Sequence, residues 1–187
     1  GALGKLGDHH SFLQSATDAK QWGQVSESAE TLPSCSGKML DNQIAYISMP
    51  GFGSGDEKAN TIFADEAQAL IQSLDAQQPK AWILDLRENT GGNCWPMLAG
   101  IGPLLGEGLC GYFVVPEQKP QAWKYKNGAS YHGRQKITKT SRKGYELKTK
   151  LPKLAVLTGP QTASSGEVVT IAFRGRPNCR SFGEPTY

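Results

Sequence analysis

At 187 residues the chain is long enough for one domain with a proper core, and 38% hydrophobic with 20% charged residues is the make-up of an ordinary globular protein. No run of about 18 apolar residues occurs, which excludes a membrane-spanning helix. Net charge is +3, yet ten of the twenty Lys and Arg residues fall between Lys119 and Lys150, where Glu146 is the only acid.

Residues 1–40 are polar and irregular and read as an N-terminal segment ahead of a core over 41–187. The chain opens Gly1-Ala2-Leu3-Gly4-Lys5 without a basic stretch leading into an apolar one, so no signal peptide is expected in it; an excised core of an exported protein, periplasmic or extracellular, is. Ile44 to Met49 predicts a strand closed by Pro50-Gly51. A helix follows from about Asp56 to Leu74, since Phe63, Ala67, Leu70, Ile71 and Leu74 keep the 3–4 spacing of one buried face. Ala81 to Leu86 is a continuous apolar run, the pattern of a strand covered on both faces.

After the loop Arg87 to Asn93, Trp95-Pro96 opens a second helix to about Leu105, with proline tolerated in the first turn. Leu109 to Val115 predicts another strand. The basic region around Asn127-Gly128 reads as a solvated β-hairpin, with aromatics alternating with polar residues, rather than as a nucleic-acid surface. His132 falls in it and is expected in solvent. Leu154 to Leu157 is again a buried strand, a helix from Ser164 to Phe173 follows the turn at Thr158-Gly159-Pro160, and a last strand lies near Arg180 to Phe182. The succession predicts an α/β protein of ββα or βαβ units, with ligands gathering beyond the carboxyl ends of the strands. Two loops fall there, Arg87–Asn93 and Thr158–Ser165.

Cys35, Cys94, Cys110 and Cys179 are far apart, with no CxxC pair and no metal-site spacing. No metal or cofactor is expected; one or two disulfides are compatible with export.

Ser164 follows a tight turn and opens a helix, where free N–H groups and the helix dipole favour a developing oxyanion. The N–H of Ser165 lies where one oxyanion donor is needed. The same residues, Ser164-x-x-Glu167, also spell a capping box. Gly91-Gly92 lets backbone N–H groups approach a substrate closely, as a second oxyanion donor or as an anion nest. Asp85 and Arg87 are placed to pair within that loop. The histidines available as a base are His9, His10 and His132, with Asp8 and Ser11 able to orient the first two.

Asp85-Leu86-Arg87-x-Asn89-x-Gly91-Gly92, Thr162-Ala163-Ser164-x-x-Glu167 and Gly183-Glu184-Pro185-Thr186-Tyr187, in that order, resemble the tail-specific or C-terminal processing peptidases, including relatives of the tricorn core. The resemblance covers residues 40–187 and the segment Asp8 to Ser11. It implies a crotonase- or ClpP-like core acting on peptides or proteins, with Ser164 as nucleophile and an oxyanion hole from Ser165 and Gly91 or Gly92. One branch of the family uses a lysine that would fall two residues beyond Tyr187. The other uses an early histidine in an Asp-x-His-Ser setting, here His10, and His10 is the preferred base. This chain departs from that pattern in carrying His9 where an orienting serine can stand. The alternative on the same fold is a non-catalytic module binding hydrophobic ligands or peptides.

Overall fold

A computed structural model describes residues 15, 16, 32–41 and 43–187 of the chain. The chain divides between Thr31 and Leu32. The unit Leu32–Tyr187 runs β1 (Ser36–Leu40), β2 (Ile44–Ser48), α1 (Glu57–Asp75), β3 (Ala81–Asp85), α2 (Cys94–Gly100), α3 (Gly102–Leu105), β4 (Gly108–Phe113), β5 (Gln121–Lys126), β6 (Ala129–His132), β7 (Gln135–Lys139), β8 (Leu154–Thr158), α4 (Ser165–Ala172) and β9 (Cys179–Gly183).

A five-stranded sheet has the order β1-β2-β3-β8-β9. β1 runs antiparallel to β2, while β2, β3, β8 and β9 are parallel. The apolar runs at β3 and β8 become its centre, with Trp82, Leu84 and Val156 at most 1% exposed. The first strand, β1, lies within the stretch expected to be irregular; it is a short edge strand whose first three residues are exposed.

α1 starts at Asp56, whose Oδ1 accepts the Ala59 N–H at 2.7 Å, a side-chain cap that satisfies an orphan helix donor. Of its predicted stripe, Phe63, Ala67, Ile71 and Leu74 are buried and Leu70 is half-buried against the core. The second predicted helix is two helices, α2 and α3. Pro103 cannot donate to the turn before it and fits only in the first turn of a new helix, so the chain breaks at Ile101. Gly100 lies against α1 at that break, where a Cβ would stand 2.8 Å from Ala67 Cβ.

The basic region is a four-stranded antiparallel sheet, β4-β5-β6-β7, of which the predicted turn at Asn127-Gly128 joins the middle two strands. Trp123 and Tyr125 on β5 are at most 3% exposed and join the same core as the first sheet, whereas Lys124 and Lys126, alternating with them, point outward. His132 corrects the expectation of a solvated side chain. Its Nε2 is buried without a partner, and its ring packs 5.5 Å from Trp95 and 5.7 Å from Phe113.

Candidate active site

Three loops leave the carboxyl ends of the parallel strands β2, β3 and β8, and Asn89 ties them together. It is wholly buried. Its Nδ2 donates to Pro50 O at 3.1 Å and Met49 O at 3.3 Å, on the loop after β2. Its Oδ1 accepts the Gly91 N–H at 3.0 Å, and its own carbonyl accepts the Ala163 N–H, also at 3.0 Å, on the loop after β8.

Gly91 and Gly92 take φ of 104° and 114°, a region nearly closed to other residues. A Cβ on Gly91 would lie 2.9 Å from both Ala163 O and Ser164 Cβ, so this loop presses directly on the serine turn. A Cβ on Gly92 would collide with the Phe52 carbonyl. Phe52 N–H donates to Gly91 O at 3.0 Å, fixing the plane of the Gly91–Gly92 peptide. Because that peptide is planar and trans, the Gly92 N–H is turned away from Phe52. It has no acceptor among the described residues, and neither has the Ser165 N–H in the first turn of α4. The Gly91 N–H, by contrast, is committed to Asn89.

Ser164 is exposed and holds φ 51° and ψ −116°. A non-glycine residue there carries strain of about 1–3 kcal/mol, which persists only where the surroundings impose it. The surroundings here are a capping box with Glu167. The Ser164 N–H donates to Glu167 Oε2 at 3.0 Å, and the Glu167 N–H donates to the Ser164 carbonyl at 2.9 Å. Glu167 Oε1 accepts the Thr186 hydroxyl at 2.7 Å, and Tyr187 N–H donates to Thr162 O at 3.0 Å. The Gly-Glu-Pro-Thr segment is thereby bound to the serine turn, and all three sequence motifs converge on one place.

Beside it, Ser165 Oγ donates to Gly92 O at 2.6 Å. Cys94 is buried next to Ser165; burial pushes its thiol up to about 11, which keeps it protonated near neutral pH and no rival nucleophile. Asp85 pairs with Arg87 as its spacing predicts, at 2.7 Å, and accepts the Tyr46 hydroxyl at 2.6 Å. Burial raises the Asp85 carboxyl, but the hydrogen bonds from Arg87 and Tyr46 together outweigh it and hold the group below the usual aspartate value.

Of the residues singled out in the sequence, Ser164, Ser165, Gly91 and Gly92 are brought together, while Asp8, His9, His10 and Ser11 lie outside the described residues. Glu167 was legible as the capping-box partner of Ser164. Asn89 and Thr162 were not revealed by residue chemistry, and their only sequence signal was membership of the motifs. Among the described residues no cluster of His, Cys, Asp and Glu is arranged to hold a metal ion, and all four cysteines are free thiols. A concavity of about 710 Å³ lined by Tyr125, Tyr145 and Arg176 includes none of the site residues.

The model of peptidase family S41 matches residues 43–187. The nisin-resistance protein of Lactococcus lactis subsp. lactis is 28% identical over 182 residues, 97% of this chain and 53% of that protein. A lipoprotein from Streptococcus agalactiae has a similar fold, with a TM-score of 0.64 at 24% identity over 83% of this chain and 50% of that one. So has the photosystem II D1 C-terminal processing protease, with a TM-score of 0.52 at 19% identity over 83% of this chain and 37% of that one. The chain thus spans about half the length of the curated relative it matches.

Proposed function

The chain belongs to peptidase family S41, and from that premise we propose that it is the core of a serine endopeptidase cleaving peptide bonds through an acyl-enzyme on Ser164. Support comes chiefly from the Ser164 backbone: an exposed serine held at φ 51° against Gly91, at the start of a helix. A cap alone does not require that conformation, since N-cap residues ordinarily sit in the β region. Strained, projecting nucleophiles at strand-to-helix turns are the arrangement of other hydrolases as well. The β2–α1–β3 and β8–α4–β9 units are read as a crotonase- or ClpP-like core.

In the proposed reaction His10 takes the Ser164 hydroxyl proton as Oγ bonds to the scissile carbonyl carbon. The carbonyl oxygen becomes an oxyanion between the N–H groups of Gly92 and Ser165, the two without acceptors. Collapse breaks the C–N bond, and the amine leaves with the proton from His10. Water, deprotonated by the same histidine, then attacks the ester, releasing the acyl product as a carboxylic acid and restoring Ser164. Gly91 acts through geometry, leaving room for the serine turn. Asp8, His9 or Ser11 orients His10. The substrates are peptides or proteins, and export is favoured by likeness to two proteins, a lipoprotein and a nisin-resistance protein.

A fluorophosphonate probe tests the assignment. Labelling is expected on Ser164 and absent in Ser164→Ala, with peptidase activity lost by at least about 10³-fold. Equal activity in wild type and Ser164→Ala sinks the proposal, and a folded protein that never labels favours the binding-module reading. His10→Ala should abolish labelling while His9→Ala weakens it; the reverse order would move the base to His9.

A further inference from the structure

We propose that the outer face of the β4–β7 sheet is a docking surface for an anionic phospholipid bilayer. Strand register sets the face. Lys124 stands opposite Tyr131, which stands opposite Lys136; in the next row Lys126 and Lys139 flank Ala129. Residues directly opposite in a ladder share a face, so four lysines form a two-by-two grid. Neighbours lie roughly 7 Å apart along β5 and roughly 10 Å apart across the strands.

Lys136 and Lys139 are three apart in sequence and would point to opposite sides of a regular strand. A register shift between Ser130 and Tyr131 places an extra residue in β7 and turns both outward. A second shift, between Leu109 and Gly111 on β4, does the same for Leu109 and Tyr112, opposite Lys124 and Ala122. Both irregularities therefore add to one surface. All four lysines are exposed, and Lys136 Nζ stands 5.9 Å above the Tyr131 ring. None forms an ion pair with a carboxylate among the described residues, where the pairs are Arg87–Asp85 and Lys143–Glu146.

A grid of charge alone would suit any polyanion. Two features select a bilayer. The grid is flanked by large apolar side chains left in water, with Leu109 and Tyr112 each 53% exposed and Val114, just past β4, 72% exposed. Basic residues beside exposed aliphatic and aromatic ones are the composition of an interfacial membrane contact. The charges are lysines, point charges suited to diffuse attraction, whereas planar bidentate recognition of phosphate and bases calls for arginine.

The test is co-sedimentation with phosphatidylcholine vesicles, with and without phosphatidylglycerol, in the Ser164→Ala background so that the peptidase assignment does not enter. Binding is expected only with phosphatidylglycerol. Replacing Lys124, Lys126, Lys136 and Lys139 by Gln should weaken it about fivefold per lysine, several hundredfold together. Val114→Ser should weaken it a few fold, a loss that persists when salt is raised. Substituting Lys58, Lys80 and Lys153 together, all exposed and outside this sheet, should leave binding within about fivefold of the starting protein. The proposal is overturned by no binding to anionic vesicles, by equal losses in the grid and control variants, or by duplex DNA binding more tightly than vesicles, which would make the face a nucleic-acid surface. Circular dichroism of each variant separates lost binding from lost folding.

Discussion

Asn89 makes no contact that the proposed chemistry at Ser164 requires, yet three loops depend on it. Asn89→Ala keeps the backbone bond from Ala163 but leaves the buried Gly91 N–H and Met49 carbonyl, and the half-buried Pro50 carbonyl, without the amide. Each such orphan costs about 1–3 kcal/mol. Urea unfolding should show a loss of about 2–4 kcal/mol. In the protein that remains folded, fluorophosphonate labelling should slow by about 10²-fold, because the Gly91–Gly92 loop is no longer held against Ser164. A loss of stability with an unchanged labelling rate would show that the loop keeps its shape without the amide. This role was not legible in the sequence, since Met49 lies 40 residues before Asn89 and Ala163 lies 74 after it. Gly91 and Gly92 were legible, because two adjacent glycines already announce a backbone that side chains cannot accompany.

At the scale of elements, the carboxyl end of β3 is set by Asp85, Arg87 and Tyr46. The folded-state value of Asp85 is lowered, so its contribution to stability is fully present above the ordinary aspartate value near 4 and is lost as pH falls through the folded-state value. Thermal unfolding followed from pH 6 downward should therefore fall more steeply below about pH 4 in the native protein than in Asp85→Asn. The parallel strands β2, β3 and β8 could be read directly, because strands buried on both faces are short unbroken apolar runs. The edges could not. β1 shows three exposed residues out of five, and β7 hides its period behind a register shift that spaces Lys136 and Lys139 by three. The break between α2 and α3 was written in Gly102-Pro103, but Leu104 and Leu105 continue the apolar pattern and mask it.

At the scale of the molecule, the two sheets share one core through α1. Gln68 Nε2 donates to Ala99 O at 2.7 Å and its Oε1 accepts the Tyr145 N–H at 2.7 Å. Asp75 Oδ2 accepts both the Tyr145 hydroxyl, at 2.8 Å, and the Lys148 N–H, at 2.9 Å. Trp82 in one sheet and Trp123 in the other belong to the same cluster, so tryptophan fluorescence and far-ultraviolet circular dichroism should report one coincident transition. Gln68→Ala should lower both midpoints together, with a stability loss of about 2–3 kcal/mol; two separated transitions would mean that the sheets unfold independently. Fold class was legible from the order of strands and helices alone. How the basic strands join the core was not, because their buried aromatics alternate with lysines that dominate the composition.

The pairing of β3 with β8 also bears on when the proposed activity could begin. The Gly92 carbonyl and the Ser165 hydroxyl that meet at the site are 73 positions apart, and the strands that bring them there are parallel neighbours with an entire second sheet between them in the chain. Parallel pairings over such separations form late in folding, because the loop-closure entropy is lost before any contact offsets it. Until β8 has paired with β3, Ser164 is one hydroxyl among many. On the proposed reading, this topology withholds the site until the whole second sheet between those strands has been made.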